Sequence, residues 1–241
     1  VLGFELAGRG MKAEAVQEFQ AALALKPSLH DVHNDLAVLH QSLGDAEAAL
    51  KHYQAAIRIS PQNPIYRFNQ GQLLAHLGRF DEALACYAEA SRLEPQNPHY
   101  YFFIGRAYRS KGQTDAAIRS FRAGLQVAPN DLENSMALCR TLAADPNPHF
   151  RNGGEAVVLG ERVNALLGGQ SAVVLDVLAM AYAEAGRYEL ARATVTKALS
   201  FGASDKTNTL NSALEERLKL YEANTPYREY WTNVPPLLPN D

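Results

Sequence analysis

The sequence predicts an all-α solenoid of stacked antiparallel helix pairs. Three observations carry this: prolines recur every 34 residues at Pro27, Pro61, Pro95 and Pro129, glycine and aromatic residues recur in the same register, and apolar residues between them fall at helical spacing. Small residues align at Gly3, Ala37, Gly71 and Gly105, and again at Ala15, Ala49, Ala83 and Ala117. Aromatic residues align at Phe19, Tyr53, Tyr87 and Phe121, and glycines at Gly10, Gly44, Gly78 and Gly112. Each repeating unit is one helix pair that cannot bury its apolar face alone, so burial comes from stacking on a neighbour.

Each column has a physical role. Gly44, Gly78 and Gly112 stand where a first helix must stop, because glycine takes the left-handed conformation at little steric cost. The small-residue columns fall where two helix backbones approach closely, and the Tyr/Phe column fills the gap between neighbouring repeats. Asn63 before Pro64 and Asn97 before Pro98 read as N-caps followed by proline at the first helical position. These signals predict first helices near 30–43, 64–77, 98–111 and 132–144, and second helices near 46–59, 80–93, 114–127 and 155–167.

The resulting organisation is a partial repeat at 1–29, full repeats at 30–63, 64–97 and 98–131, an expanded and degenerate repeat at 132–171, and a repeat at 172–205. In the last of these, Ala203 stands where the proline would be. The expansion is a run of helix breakers at 145–154. A helix near 206–223 carries Leu210, Leu214, Leu218 and Tyr221 on one face and caps the stack, with 206–224 as the capping unit and 225–241 as an extended, proline-rich and aromatic tail. Val1 is not an initiator methionine and the register opens inside a first helix, with Leu2 and Gly3 already in core columns; the expectation is a piece of a larger protein.

Composition narrows the function classes. The chain has 241 residues, 47% of them hydrophobic, a net charge of −3 and a pI near 6.2, so no overall positive field recruits nucleic acid. Cys86 and Cys139 form neither a disulfide framework nor a zinc module and leave cytoplasmic and periplasmic settings equally open. No apolar run reaches the length of a membrane span, and Glu5, Arg9 and Lys12 interrupt any signal-peptide core.

The columns resemble the tetratricopeptide repeat, most fully at Tyr101, Ile104, Gly105, Tyr108, Ala117, Phe121 and Pro129. The family's tryptophan slot holds His33, Arg67, Tyr101, Ser135 and Leu175 instead. The resemblance implies a right-handed superhelix whose first helices line a concave groove for peptides or protein segments, in a noncatalytic scaffold without cofactors. The loop Arg151-Asn152-Gly153-Gly154 and the ending Arg217 to Tyr221 with Pro226-Tyr227-Arg228-Glu229 are also similar to the ends of long bacterial repeat proteins, some fused to glycosyltransferase modules. That similarity supplies the alternative: a substrate-recognition or regulatory arm of a larger enzyme.

In such a groove, first-helix residues outside the small and core columns face the concave side. These are Asn34 and Val38, then Phe68, Gln72 and His76, then Phe102, Arg106 and Arg109, then Met136 and Arg140, then Asp176 and Met180. Asn69 joins them as the one good match to the chaperone-binding clamp, whose other places hold Asn34, Val38, His99 and Phe103, so chaperone recognition is not expected. The asparagine ladder of sugar-transferase arms is likewise absent beyond Asn34 and Asn69. Phe68 and Phe102 would anchor a side chain while Arg106, Arg109 and Arg140 hold carboxylates, because guanidinium forks pair carboxylates bidentately. In the run from Tyr100 to Phe103, one or two rings should face a ligand or the tail. The tail itself, through Tyr227, Tyr230, Trp231 and residues 234–238, is a competing occupant of this groove or of a neighbour's in a dimer.

No catalytic constellation is found. Gly153-Gly154 and Gly168-Gly169 read as helix punctuation, not phosphate loops. His30 and His33 with Asp31 and Asp35 lack a third metal ligand and read as solvated surface; His40 reads as a packed histidine and Cys139 as a buried small hydrophobe.

Overall fold

The computed structural model describes residues 2–202 and 209–229, and among them it contains thirteen α-helices, one short 3-10 helix and no strand. The fold is an all-α solenoid built from two compact units, divided between Pro95 and Gln96 although the 34-residue period runs through that point unbroken. The first unit holds α1 (Leu2–Gly8), α2 (Lys12–Leu25), α3 (His30–Ser42), α4 (Ala46–Ile59), α5 (Pro64–His76) and α6 (Phe80–Leu93). The second holds α7 (Pro98–Ser110), α8 (Thr114–Val127), α9 (Leu132–Ala144), α10 (Gly153–Leu166), α11 (Ala172–Glu184), α12 (Tyr188–Gly202) and α13 (Thr209–Glu222). Ala203, Tyr230, Trp231 and residues 234–238 lie outside the described residues, as does the side chain of Leu2.

The punctuation read from the sequence acts as local chemistry requires. Asn63 Oδ1 accepts from the backbone N–H of Ile65 at 3.0 Å, and Asn97 Oδ1 accepts from that of His99 at 3.1 Å. Between α5 and α6, Gly78 takes φ +74°, and the N–H of Arg79 closes back onto the Leu74 carbonyl at 2.9 Å. The breaker run folds as a third Asn-Pro cap: Asn147 accepts from the His149 N–H at 3.0 Å over the 3-10 helix Pro148–Phe150. Helix α10 opens at Gly153, two residues ahead of its expected start. A Cβ on Gly153 would stand 2.7 Å from the backbone nitrogen of Ala185, so this glycine is needed for close packing as well as for punctuation.

The aromatic column packs first on the small residue of its own helix pair, not between repeats as the sequence suggests. A Cβ on Gly71 would lie 2.7 Å from the Tyr87 ring, and one on Gly105 would come closer still to Phe121. Tyr87 and Phe121 are both fully buried. Tyr53 does reach further, clustering with Ala37 and Ala49 of its own pair and Leu73 of the next. In the second unit one continuous core runs from Ala117 to Tyr221, and α11 is its most buried helix.

Gly105→Val forces a branched side chain into the space of the Phe121 ring. It should lower unfolding stability by about 1–3 kcal/mol or more, read from urea denaturation of the full chain.

Candidate functional site

The faces of the first helices are described unit by unit. In the first unit, Val38 is exposed, while Asn34, Phe68, Asn69 and Gln72 are half-buried. Asn69 Nδ2 donates to Asn34 Oδ1 at 3.0 Å, joining α3 to α5. The Phe68 ring lies 5.7 Å from that of Tyr87.

Beside this face the histidines form a packed polar network, which corrects the reading of His30 and His33 as solvated surface. His30 Nδ1 is 2.7 Å from the Tyr66 hydroxyl, and that hydroxyl donates to Asp31. His33 Nδ1 is 3.0 Å from His52 Nδ1, and the His40 ring stacks on His52 at 5.5 Å. Burial raises the Asp35 carboxyl, and the hydrogen bond from Asn34 only partly offsets it. Among the described residues no group of three or more His, Cys, Asp or Glu side chains could hold a metal ion. Burial pushes the Cys139 thiol up to about 12, and its Sγ donates to the Ala156 carbonyl, so it behaves as a small core residue.

The second unit concentrates charge. On α7, Tyr100 and Phe103 are buried while Tyr101 and Phe102 are half-buried. The Arg106 guanidinium lies 5.3 Å from the centre of the Phe102 ring and 5.7 Å from that of Phe103, within cation–π range. Burial pushes Arg109 down to about 9, with Glu229 opposing the shift and Arg140 and Arg106 adding to it, so the group stays charged at neutral pH. On α9, Met136 is half-buried against the core, and Arg140 Nε donates to Glu229 Oε2 at 2.6 Å while its Nη2 donates to Oε1. Burial opposes the charge on Arg140, but this bidentate carboxylate contact outweighs it and raises the group.

The partner of Arg140 is therefore this chain's own residue, from the segment after α13. The Glu229 N–H also donates to the Ala144 carbonyl at 2.8 Å. Arg228 lies 2.7 Å from Glu184, which pairs on its other oxygen with Arg151 at 2.9 Å. Tyr227 lies under the Arg217 guanidinium, 4.5 Å from its ring centre. Asp176 and Met180, expected on the open face, are buried instead, and Asp176 takes both carboxylate oxygens to Arg217 Nη1 at 2.9 and 2.8 Å.

Sequence reasoning missed Glu184, Arg217, Glu229 and His52. Tyr227 was named as a tail residue that could enter the groove, whereas Arg217 and Glu229 entered only as part of an ending similar to long bacterial repeat proteins, with no partner assigned to either.

Three family profiles described as tetratricopeptide repeat match residues 28–95, 68–131 and 172–195. No curated protein matches the sequence. Among solved structures, PilF of Pseudomonas aeruginosa aligns with a TM-score of 0.70 at 21% identity, covering 89% of this chain and 94% of its own. PilW, described as a widely conserved type IV pilus biogenesis factor, aligns with a TM-score of 0.70 at 18% identity, covering 89% and 95%. YrrB, described as a TPR protein with an unusual peptide-binding site, aligns with a TM-score of 0.61 at 18% identity, covering 82% and 97%. At these identities the likeness is one of fold.

Two stability measurements test the polar networks. His52 titrates below the ordinary histidine range because burial disfavours its charged form and His33 and His40 repel it. The unfolded chain then binds a proton at His52 at higher pH than the folded chain does. Stability should therefore fall as pH drops below about 6.5 and level off once folded His52 is protonated. His52→Gln should flatten this part of the urea midpoint against pH. Asp176→Ala strands the buried Arg217 guanidinium and should cost about 3–5 kcal/mol in thermal unfolding, with Asp176→Asn costing less.

Proposed function

The chain carries tetratricopeptide repeats, and on that premise we propose that it is a noncatalytic interaction scaffold which binds an extended peptide or protein segment on its first-helix faces. The observation that supports this most directly is in the second unit: Arg140 holds a carboxylate in a bidentate grip, and Arg109 feels the same charge. Arginines grouped on one face repel one another unless an anion sits among them, and a partner's acidic side chain meets that need as Glu229 does. Phe102 and Arg106, stacked together, supply an aromatic and cationic anchor at the edge of the same helix. Met136 offers an apolar contact beside Arg140.

In the first unit the counterpart is polar. Asn34 and Asn69, tied to each other, with Gln72 alongside, present amides suited to the backbone of an extended chain, and Val38 and Phe68 present apolar contacts. The partner is a protein or peptide. Among the described residues no helix is long and apolar enough to cross a membrane.

The test is an array of immobilised extended peptides, acidic and neutral, probed with the full chain. Phe102→Ala with Arg106→Ala should abolish capture of the acidic peptides while leaving the helical circular dichroism unchanged. Equal capture by the double variant would sink the reading.

A further inference from the structure

We infer that the face formed by α9, α11 and α13 in the second unit is a site for a strand with the side-chain order aromatic, arginine, acidic, and that Tyr227, Arg228 and Glu229 are its resident ligand, which a partner strand of the same chemistry must displace. This deepens the proposed scaffold function and rests on it.

Three separate contacts read three consecutive side chains. The Arg217 guanidinium lies over the Tyr227 ring, Glu184 takes Arg228, and Arg140 takes Glu229. One backbone position of the segment is read as well, the Glu229 N–H donating to the Ala144 carbonyl, and the Arg228 side chain also reaches the Ala143 carbonyl through Nη1 at 3.4 Å. The receiving groups are set by contacts of their own. Glu184 is oriented by Arg151, and Arg217 by Asp176, so the face is prearranged by parts of the chain that do not belong to the segment. The segment itself, residues 225–229, has no helix or strand holding it in place. Its attachment is a short series of side-chain contacts, the form that an extended peptide takes on a helical face.

With Tyr227 tethered five residues beyond the end of α13, the segment competes at an effective concentration on the order of mM, so an untethered strand of equal affinity loses to it. Weakening one handle raises the open fraction, and the apparent affinity for an incoming strand rises in proportion.

The probe is a fluorescein-labelled peptide with the sequence of residues 224–230, titrated by anisotropy against the full chain. Wild type should bind it weakly. Glu229→Gln in the chain should tighten binding by at least about tenfold, since truncating one member of a desolvated charge pair is worth that much or more. Arg228→Ala, which loosens the other end of the segment, should act in the same direction. Adding Arg140→Ala to Glu229→Gln should remove binding, and a peptide carrying Gln at the glutamate should not bind. Equal affinity of wild type and both loosened chains would overturn the resident-ligand inference while leaving the scaffold reading intact. No binding by loosened chains that keep their helical content would overturn the inference and the carboxylate-binding role of Arg140 together. If loosening lowers the melting temperature and leaves the peptide unbound, the segment is a structural clasp and the inference falls. A concentration-dependent dimer in wild type would instead identify a second copy of the chain as the occupant and overturn displacement in cis.

Discussion

The interlock of an aromatic ring against a residue with little or no side chain is the constraint on which the remaining geometry depends. Where Gly71 meets Tyr87 and Gly105 meets Phe121, no Cβ fits between helix and ring, so the two helices of a pair settle at one separation. Close packing penalises both a gap and an excess there. Fixing the pair fixes which residues of the first helix remain outside it. In the second unit those residues are Arg106 and Arg109 on α7 and Arg140 on α9, and their grouping is a by-product of how the backbone interlocks.

A face built this way has an electrostatic problem that its neighbours solve. Three arginines converge where burial already pushes Arg109 down to about 9. The chain answers with acidic groups from distant places: Glu229 on Arg140, Glu184 between Arg151 and Arg228, and Asp176 on Arg217. Arg140, Arg151, Arg217 and Arg228 each meet one of these carboxylates. Removing water from such pairs costs about several kcal/mol per ion unless the geometry is good; the bidentate fork of Arg140 on Glu229 provides it, while at Asp176 both carboxylate oxygens share the single Nη1 of Arg217.

The fold was legible almost residue by residue, because its signals are local. An asparagine before a proline caps a helix wherever it stands, and a glycine that ends α5 needs only its own positive φ to do so. The aromatic column was read correctly as large against small, but its partner was misplaced by one helix. Periodicity shows that two columns meet without showing whether they meet inside a pair or across pairs. The candidate site was legible in part. Phe102, Arg106 and Arg140 follow from helical spacing alone, whereas Asp176 and Met180 share that spacing and are buried. His30 and His33 look like surface residues until Tyr66 and His52 arrive from other helices to bond them.

Local rules thus dictate the helices, their ends and the side of each helix that carries arginine, since every one of those features depends on residues within a few positions of each other. What the arginines hold is a different kind of fact. Arg140 and Glu229 are 89 residues apart and Asp176 and Arg217 are 41 apart. No spacing rule links such pairs. Their contact exists only because stacked helices bring α9, α11 and α13 together and lead the segment after α13 back across them, and a charge finds its partner by distance in space, not along the chain.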